Sequence, residues 1–345
     1  MAEKEKVVKA KILNLDDFKK AMKKDFGKDS VIDAVDKESY GDLIPMTSFS
    51  LSNALGIGGI AKRKITVIDG ESSGGKSTTA YDAIAQCQKK YGEQCLLIDK
   101  EDAYTTSYGR LMGIDNEKLT ICVPKSLEDM YEVLIMAIES DLFGVIAVDS
   151  VTSFAPDSRF EGSVVMGVES RVNSDKMRLV NDVMPRHNVA LILIQQIRSK
   201  IGGMGDPTTV SGGVAIPFYA HVRIRITRSQ IDRELRQNVM KFTVIKNKMG
   251  EPFKVGTVVY KWGVGFDFFS EVAELAIEFG IIVNEKTSYF PPEADGIKLI
   301  GKKKIIAYLQ ENPEYTKTVI EPLVLKYMDD NANLRSDEID ENDLN

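Results

Sequence analysis

Near-continuous apolar runs alternate with amphipathic stretches through the middle of this chain. Positions 64–69, 95–99, 145–149 and 189–195 are such runs, which read as strands buried on both faces. Between and around them, 77–90, 126–140 and 170–184 carry helical spacing. The alternation predicts an α/β fold with a mostly parallel central sheet. Beyond residue 220 the pattern changes. Stretches 221–227, 240–246 and 254–260 alternate apolar and polar positions, as antiparallel strands at one end of a sheet do, with a polar hairpin around 232–238. From Phe269 a helix runs to Gly280, its expected C-cap. Helical stretches 301–310 and 316–328 complete a small α+β C-terminal domain.

At the other end, Leu15, Phe18, Met22 and Phe26 recur at helical spacing and stop before Gly27. This short amphipathic helix packs on its own core or docks on a neighbouring subunit. The expected organisation is therefore 1–43, N-terminal helix and linker; 44–268, core; 269–328, C-terminal domain; and 329–345, tail. Seven acidic residues and one basic residue, Arg335, make that tail an acidic, disordered segment. It accounts for the net charge of −6, so the rest of the chain is near neutral and has room for local basic patches.

Hydrophobic residues make up 43% of 345 positions, enough for one large α/β core with attachments. The three cysteines, Cys87, Cys95 and Cys122, lack metal-ligand spacing and fit reduced thiols. No apolar signal core or membrane-length run is present, so a soluble cytoplasmic protein is expected.

The chemistry concentrates after the first core strand. Gly70-Glu71-Ser72-Ser73-Gly74-Gly75-Lys76-Ser77 fits the phosphate-cradling pattern G-x-x-x-x-G-K-[ST], placed between a strand and a helix as that loop requires. Glycines let successive N–H groups turn inward, and the helix N-terminus adds its positive end. Lys76 reaches the β- and γ-phosphates, and the Ser77 hydroxyl suits Mg²⁺.

Other strand ends carry polar groups. Asp149 closes an apolar strand, where the Mg²⁺-side acid of P-loop ATPases sits. Glu101 lies just past a strand expected to neighbour the P-loop strand and suits a base that orients the attacking water, with Asp99 and Asp102 as competing candidates. Gln195 and Gln196 end the next strand, and an amide there can report on a γ-phosphate. The Gly-rich stretch 197–213 and the loop 157–167, the latter followed by a helix bearing Arg171, Lys176 and Arg178, read as two loops beside the ATP site that bind DNA phosphates without reading sequence. Lys246-Asn247-Lys248 and Lys302-Lys303-Lys304 read by themselves as surface charge.

Together these residues form a set. From about Phe18 through Tyr327 the chain resembles the RecA-type homologous recombinases. The resemblance rests on Phe26-Gly27-Lys28, Ser50-Leu51-Ser52-Asn53-Ala54-Leu55-Gly56, the P-loop Glu71-Ser72-Ser73, Asp99-x-Glu101, Val148-Asp149-Ser150, Glu161-Gly162 and Met166-Gly167. It continues through Gln196-Ile197-Arg198-x-Lys200-Ile201-Gly202, Gly212-Gly213, Phe218-Tyr219-Ala220, Lys246-Asn247-Lys248 and Pro252-Phe253-Lys254.

The resemblance implies a RecA-like P-loop ATPase core that binds ATP and Mg²⁺, forms helical filaments on single-stranded DNA and exchanges strands with homologous double-stranded DNA. It implies Glu101 as catalytic glutamate, Gln196 as γ-phosphate sensor, Gly70 to Thr78 as the nucleotide loop, and Tyr108 and Trp262 beside the adenine. It implies DNA contacts at Met166, Arg171, Ser174, Arg178, Arg198, Lys200, Ile201, Gly212 and Gly213. Lys246 and Lys248 would reach the ATP of the adjacent subunit, and the N-terminal helix would dock on the neighbour.

Several positions depart from the family pattern. Both DNA loops are short, Thr208 follows Pro207 in place of an acid, Pro217 stands where a Lys is common, Thr105 replaces an Asp, and Trp262 replaces a Tyr. The departures suggest a divergent member, a phage-encoded one included. The alternatives are a ring-forming helicase motor on the same core and a DNA-binding protein that uses ATP only as an assembly switch.

Overall fold

A computed structural model describes residues 14–27, 31, 41–160, 167–199, 208–210, 213–234, 236–294 and 296–337. The chain divides into two compact units, Met1–Ser39 and Tyr40–Asn345. In the first, helix α1 (Leu15–Phe26) matches the amphipathic stretch. Asn14 Oδ1 caps it by accepting from the Asp17 amide at 2.9 Å, acids occupy its first turn and lysines its last, as the helix dipole favours.

The second unit opens with a small antiparallel pair, β1 (Leu43–Ile44) and β2 (Ile60–Ala61), around the short helix α2 (Phe49–Leu55). The core then alternates: β3 (Ile65–Gly70), α3 (Lys76–Tyr91), β4 (Gln94–Asp99), α4 (Thr106–Leu111), β5 (Leu119–Cys122), α5 (Leu127–Glu139) and β6 (Phe143–Asp149). It continues through α6 (Asp157–Phe160), α7 (Val168–Val183), β7 (Ala190–Ser199), β8 (Thr208–Val210) and α8 (Ala215–Tyr219). An antiparallel run follows: β9 (Val222–Asp232), β10 (Gln237–Asn247), β11 (Val255–Lys261) and β12 (Gly265–Phe266).

The sheet order is β12-β11-β10-β9-β3-β7-β6-β4-β5, and every neighbour pair from β9 to β5 is parallel. The core therefore has the expected mostly parallel α/β architecture. One expectation is corrected. The strand leading to Glu101, β4, does not neighbour the P-loop strand β3, because the later strands β6 and β7 fill the space between them. Glu101 reaches the P-loop across two strands rather than from the next one.

Because the strands are covered on both faces, the core has two layers. Ile68, Leu97, Ala147, Ile192 and Ile224 pack with Ala80, Ala83 and Ile84 of α3. Val67, Ile98, Ile146 and Leu193 pack with Met130 and Leu134 of α5 and with Met177 and Val180 of α7. Fully buried aliphatic side chains of this kind each contribute about 1.5–3 kcal/mol.

The C-terminal part joins α9 (Phe268–Glu278) to an antiparallel three-stranded sheet of β13 (Val283–Glu285), β14 (Ser288–Phe290) and β15 (Leu299–Ile300). Helices α10 (Lys302–Glu311), α11 (Pro313–Tyr315) and α12 (Glu321–Asp337) follow, the last two joined by a π-helical turn. Val272, Ala276, Ile305, Leu309, Ile320 and Val324 form its own core. The expected disordered tail begins at 329, yet α12 continues unbroken to Asp337, since nothing in 329–337 is a Gly or Pro that would end it. Residues 338–345 lie outside the described residues.

Candidate nucleotide-binding site

The P-loop takes its shape from close backbone approach. A Cβ on Gly70 would stand 2.3 Å from the Ile226 carbonyl oxygen of the adjacent strand β9. Gly75 has φ +104°, and a Cβ there would lie 2.8 Å from Met240 Sδ. Only glycine fits both places. Beneath the loop, Asp69 is fully buried between Arg223 and Arg225 of β9, the second bonding through Nε at 2.8 Å. That pairing ties the P-loop strand to the antiparallel end of the sheet.

The ends of β3, β6 and β7, the residue just past β4, and β10 and β11 open onto one pocket of about 190 Å³. It is lined by Ser72 through Thr78, Glu101, Asp149, Gln196, Asn238, Met240 and Tyr260. Ligands bind at this carboxyl edge of parallel strands in open α/β sheets. Lys76 is 7% exposed and donates to the Glu71 carbonyl at 2.7 Å. Burial lowers its pKa, while Asp149, Glu101, Asp69 and Glu71 pull the other way.

Asp149 is 2% exposed and lines the pocket together with Ser77. Burial pushes its carboxyl up to about 6, the nearby Ser77 hydroxyl opposes the rise, and neighbouring Glu101 and Asp99 add to it. Its Oδ2 is buried without a hydrogen-bond partner. A buried carboxylate oxygen left open beside a hydroxyl fits a hard divalent cation whose other ligands are phosphate and water.

Glu101 Oε1 collects three donors: the Ser150 and Ser153 hydroxyls, each at 2.7 Å, and the Gln196 side-chain amide at 2.8 Å. Burial raises its pKa, but these bonds from Ser153, Ser150 and Gln196, with the Lys76 charge, outweigh it, and the net shift is downward. Glu101 is therefore an ionised carboxylate facing the P-loop. Of the three acids considered there, Asp99 is turned away into its own loop, accepting from the Ala103 and Tyr104 amides at 3.3 and 3.0 Å.

The remaining expected residues fall in three groups. Tyr108 joins the site through its hydroxyl, 2.9 Å from Thr78 Oγ1 and 3.0 Å from the Tyr260 hydroxyl. Trp262 does not line the pocket; it packs half-buried against the core, and Tyr260, two residues earlier on β11, lines the pocket instead. Lys246 and Lys248 are not brought to the pocket. Lys246 donates to the Pro217 and Phe218 carbonyls at 2.9 and 2.7 Å, and its pKa is lowered by burial, with Lys248 and Arg223 adding to the effect. Lys248 is exposed. Asn238 and Lys246 lie near opposite ends of the same strand, β10, roughly 26 Å apart at strand rise.

Arg171, Ser174 and Arg178 share the exposed face of α7, opposite buried Asn173, Met177 and Val180. Gly213 has φ +91° and sits against Ser170 of that helix, where a Cβ would approach Ser170 Oγ to 2.7 Å. The roots of the two glycine-bearing loops therefore meet at α7. The stretch 197–213 is also not wholly a loop. Its ends form a hairpin in which Ile197, Arg198 and Ser199 pair with Val210, Thr209 and Thr208. Met166, Lys200, Ile201 and Gly212 lie outside the described residues.

Sequence reasoning missed Ser150 and Ser153, although hydroxyls directly after the Asp149 strand were a usable signal. It also missed Asn238, Met240 and Tyr260, whose place depends on strand pairing.

A P-loop at the carboxyl edge of a mostly parallel sheet, with a buried strand-end carboxylate lining the same pocket, defines a nucleotide-binding α/β protein. The comparisons narrow the class. The RecA N-terminal domain family matches residues 13–267. Protein RecA of Deinococcus radiodurans is 34% identical over 308 residues, which is 86% of this chain and 84% of that protein. Protein RecA of Acinetobacter baylyi is 36% identical over 311 residues, 88% of each. That of Bifidobacterium longum is 34% identical over 306 residues, 86% of this chain and 76% of its own. The chain belongs to the RecA family, a recombinase-like group whose core binds ATP. No helix among the described residues is long and apolar enough to cross a membrane.

Proposed function

We propose that this chain is an ATP-dependent recombinase of the cytoplasm. It assembles head to tail on single-stranded DNA and exchanges strands with homologous double-stranded DNA, with DNA-stimulated ATP hydrolysis. The observation that carries the reading is the bond from Gln196 to Glu101. It links the strand that continues into the DNA-loop hairpin directly to the carboxylate facing the P-loop.

The P-loop amides and Lys76 hold the triphosphate. Ser77 and the open oxygen of Asp149 would hold Mg²⁺, which would supply positive charge beside the phosphates. Glu101, ionised, orients the attacking water and accepts its proton. When ATP enters, Gln196 turns from Glu101 toward the γ-phosphate. Glu101 loses one stabilising donor and becomes a stronger base, and β7 carries the change toward the DNA contacts Arg198, Lys200, Ile201, Gly212 and Gly213, which act with Met166, Arg171, Ser174 and Arg178.

Lys246 and Lys248 stand at the far end of β10 from their own P-loop, so they serve the nucleotide of another copy. Such a contact is heterologous and builds an open filament. The N-terminal unit docks on the neighbour in the same assembly. A strand-exchange assay on full-length protein with and without ATP tests the reading: ATP-dependent joint molecules are expected, and their absence with DNA-stimulated turnover intact would leave a translocating motor instead.

A further inference from the structure

Asn238 has no role in the mechanism above, yet its side-chain Oδ1 is buried in the P-loop pocket without a hydrogen-bond partner. An acceptor left unmade in this way costs about 1–3 kcal/mol, so its place in a binding pocket points to a ligand that completes it. Register shows which part of the ligand lies there. Met240 covers the P-loop at Gly75, against the N-terminus of α3. Asn238 is two residues away on the same face of β10, further from Met240's end of the loop by roughly 6–7 Å. Directly opposite Asn238 on β11 is Tyr260, which also lines the pocket. Tyr260 is joined through Tyr108 to Thr78, just beyond the lysine and serine that take the phosphates.

We propose that Asn238 and Tyr260 form the nucleoside wall of the site, with Asn238 Oδ1 accepting a hydrogen bond from the nucleoside. Asn238 is then a specificity residue, since only the sugar and base, never the phosphate chain, carry a donor at that distance. The donors available in ATP are the ribose hydroxyls and the exocyclic amino group of adenine. This rests on the reading of the pocket as a nucleoside-triphosphate site.

The test uses the full-length chain and compares ATP with inorganic tripolyphosphate, which has no nucleoside. Asn238→Leu should weaken ATP by about 2- to 10-fold and leave tripolyphosphate unchanged. Asn238→Ala, which introduces no new bulk, should give the same split. The analogue lacking the 2′-hydroxyl, the 3′-hydroxyl or the amino group for which the Asn238→Leu effect disappears identifies the donor. Equal weakening of both probes, or no change in either, would overturn the assignment while leaving the P-loop reading intact. If the unaltered protein binds neither probe, both readings fall.

Discussion

Gln196 donates to Glu101 Oε1 at 2.8 Å, joining β7 to the segment beyond β4 across the intervening strand β6. Ser150 and Ser153 bond to the same oxygen. The carboxylate is therefore held ionised by two hydroxyls just past β6 and one amide from β7, the strand that pairs with β8 in a hairpin.

Replacing Gln196 by Leu removes one of those donors and raises the Glu101 pKa. The acid limb of the kcat/KM profile, which reports the enzyme before ATP draws Gln196 away, should then shift to higher pH, because a carboxylate with a higher pKa loses its charge sooner as pH falls. A pH–rate series for Gln196→Leu against the unaltered protein reads the shift; an acid limb moved to lower pH would contradict it.

Glu101→Gln should keep ATP-dependent DNA binding but lose turnover by about 100-fold or more. Gln still accepts from Ser150 and Ser153, so the fold around it is retained. Turnover near the unaltered rate would remove Glu101 from the chemistry.

Glu271 makes a separate pH prediction. From α9 its Oε1 accepts from the Ser48 hydroxyl at 2.5 Å and the Ser50 amide at 2.9 Å, holding the N-terminus of α2 against α9. Burial pushes its pKa up to about 7, against those hydrogen bonds. A raised carboxyl pKa stabilises the fold fully below the unfolded value, near 4.5, and that stability is lost as pH rises toward 7. Glu271→Gln keeps the acceptor but cannot ionise. Its melting temperature should fall less than that of the unaltered protein between pH 5 and pH 8, the difference amounting to at most about 3 kcal/mol. Parallel melting curves would refute the assignment.

Gly75→Ala should abolish nucleotide binding while the rest of the chain stays folded. The methyl group meets Met240, and φ +104° is strained for any L side chain. Nucleotide titration with a far-ultraviolet circular dichroism control measures this; unchanged affinity would mean that the loop has room the geometry does not show.

The core strands were legible in the sequence because sheets buried on both faces need unbroken apolar runs, as Ala190 to Ile194 illustrates. The P-loop, Asp149 and Gln196 were legible because each lies next to such a run. Leu119–Cys122 was not, since this edge strand has exposed Thr120 and Ile121 and no apolar run to mark it. The place of β4 was hidden because strand order depends on crossovers rather than on local pattern. Tyr260 and Asn238 were hidden for a related reason. They meet only through β10–β11 register, whereas the resemblance pointed to Trp262. Buried Glu271 looked like one more acid on an amphipathic helix, because its partners lie more than 200 positions earlier.

The central claim is that the site is completed by a second copy. Glu101→Gln lacks the base and Lys248→Ala lacks the neighbour's cation, so each alone should show little DNA-stimulated turnover. In a head-to-tail filament mixed in equal amounts, some interfaces pair an intact Glu101 with an intact Lys248. Random mixing then predicts about a quarter of the unaltered DNA-stimulated rate. A mixture no more active than the two variants measured separately would contradict a shared site.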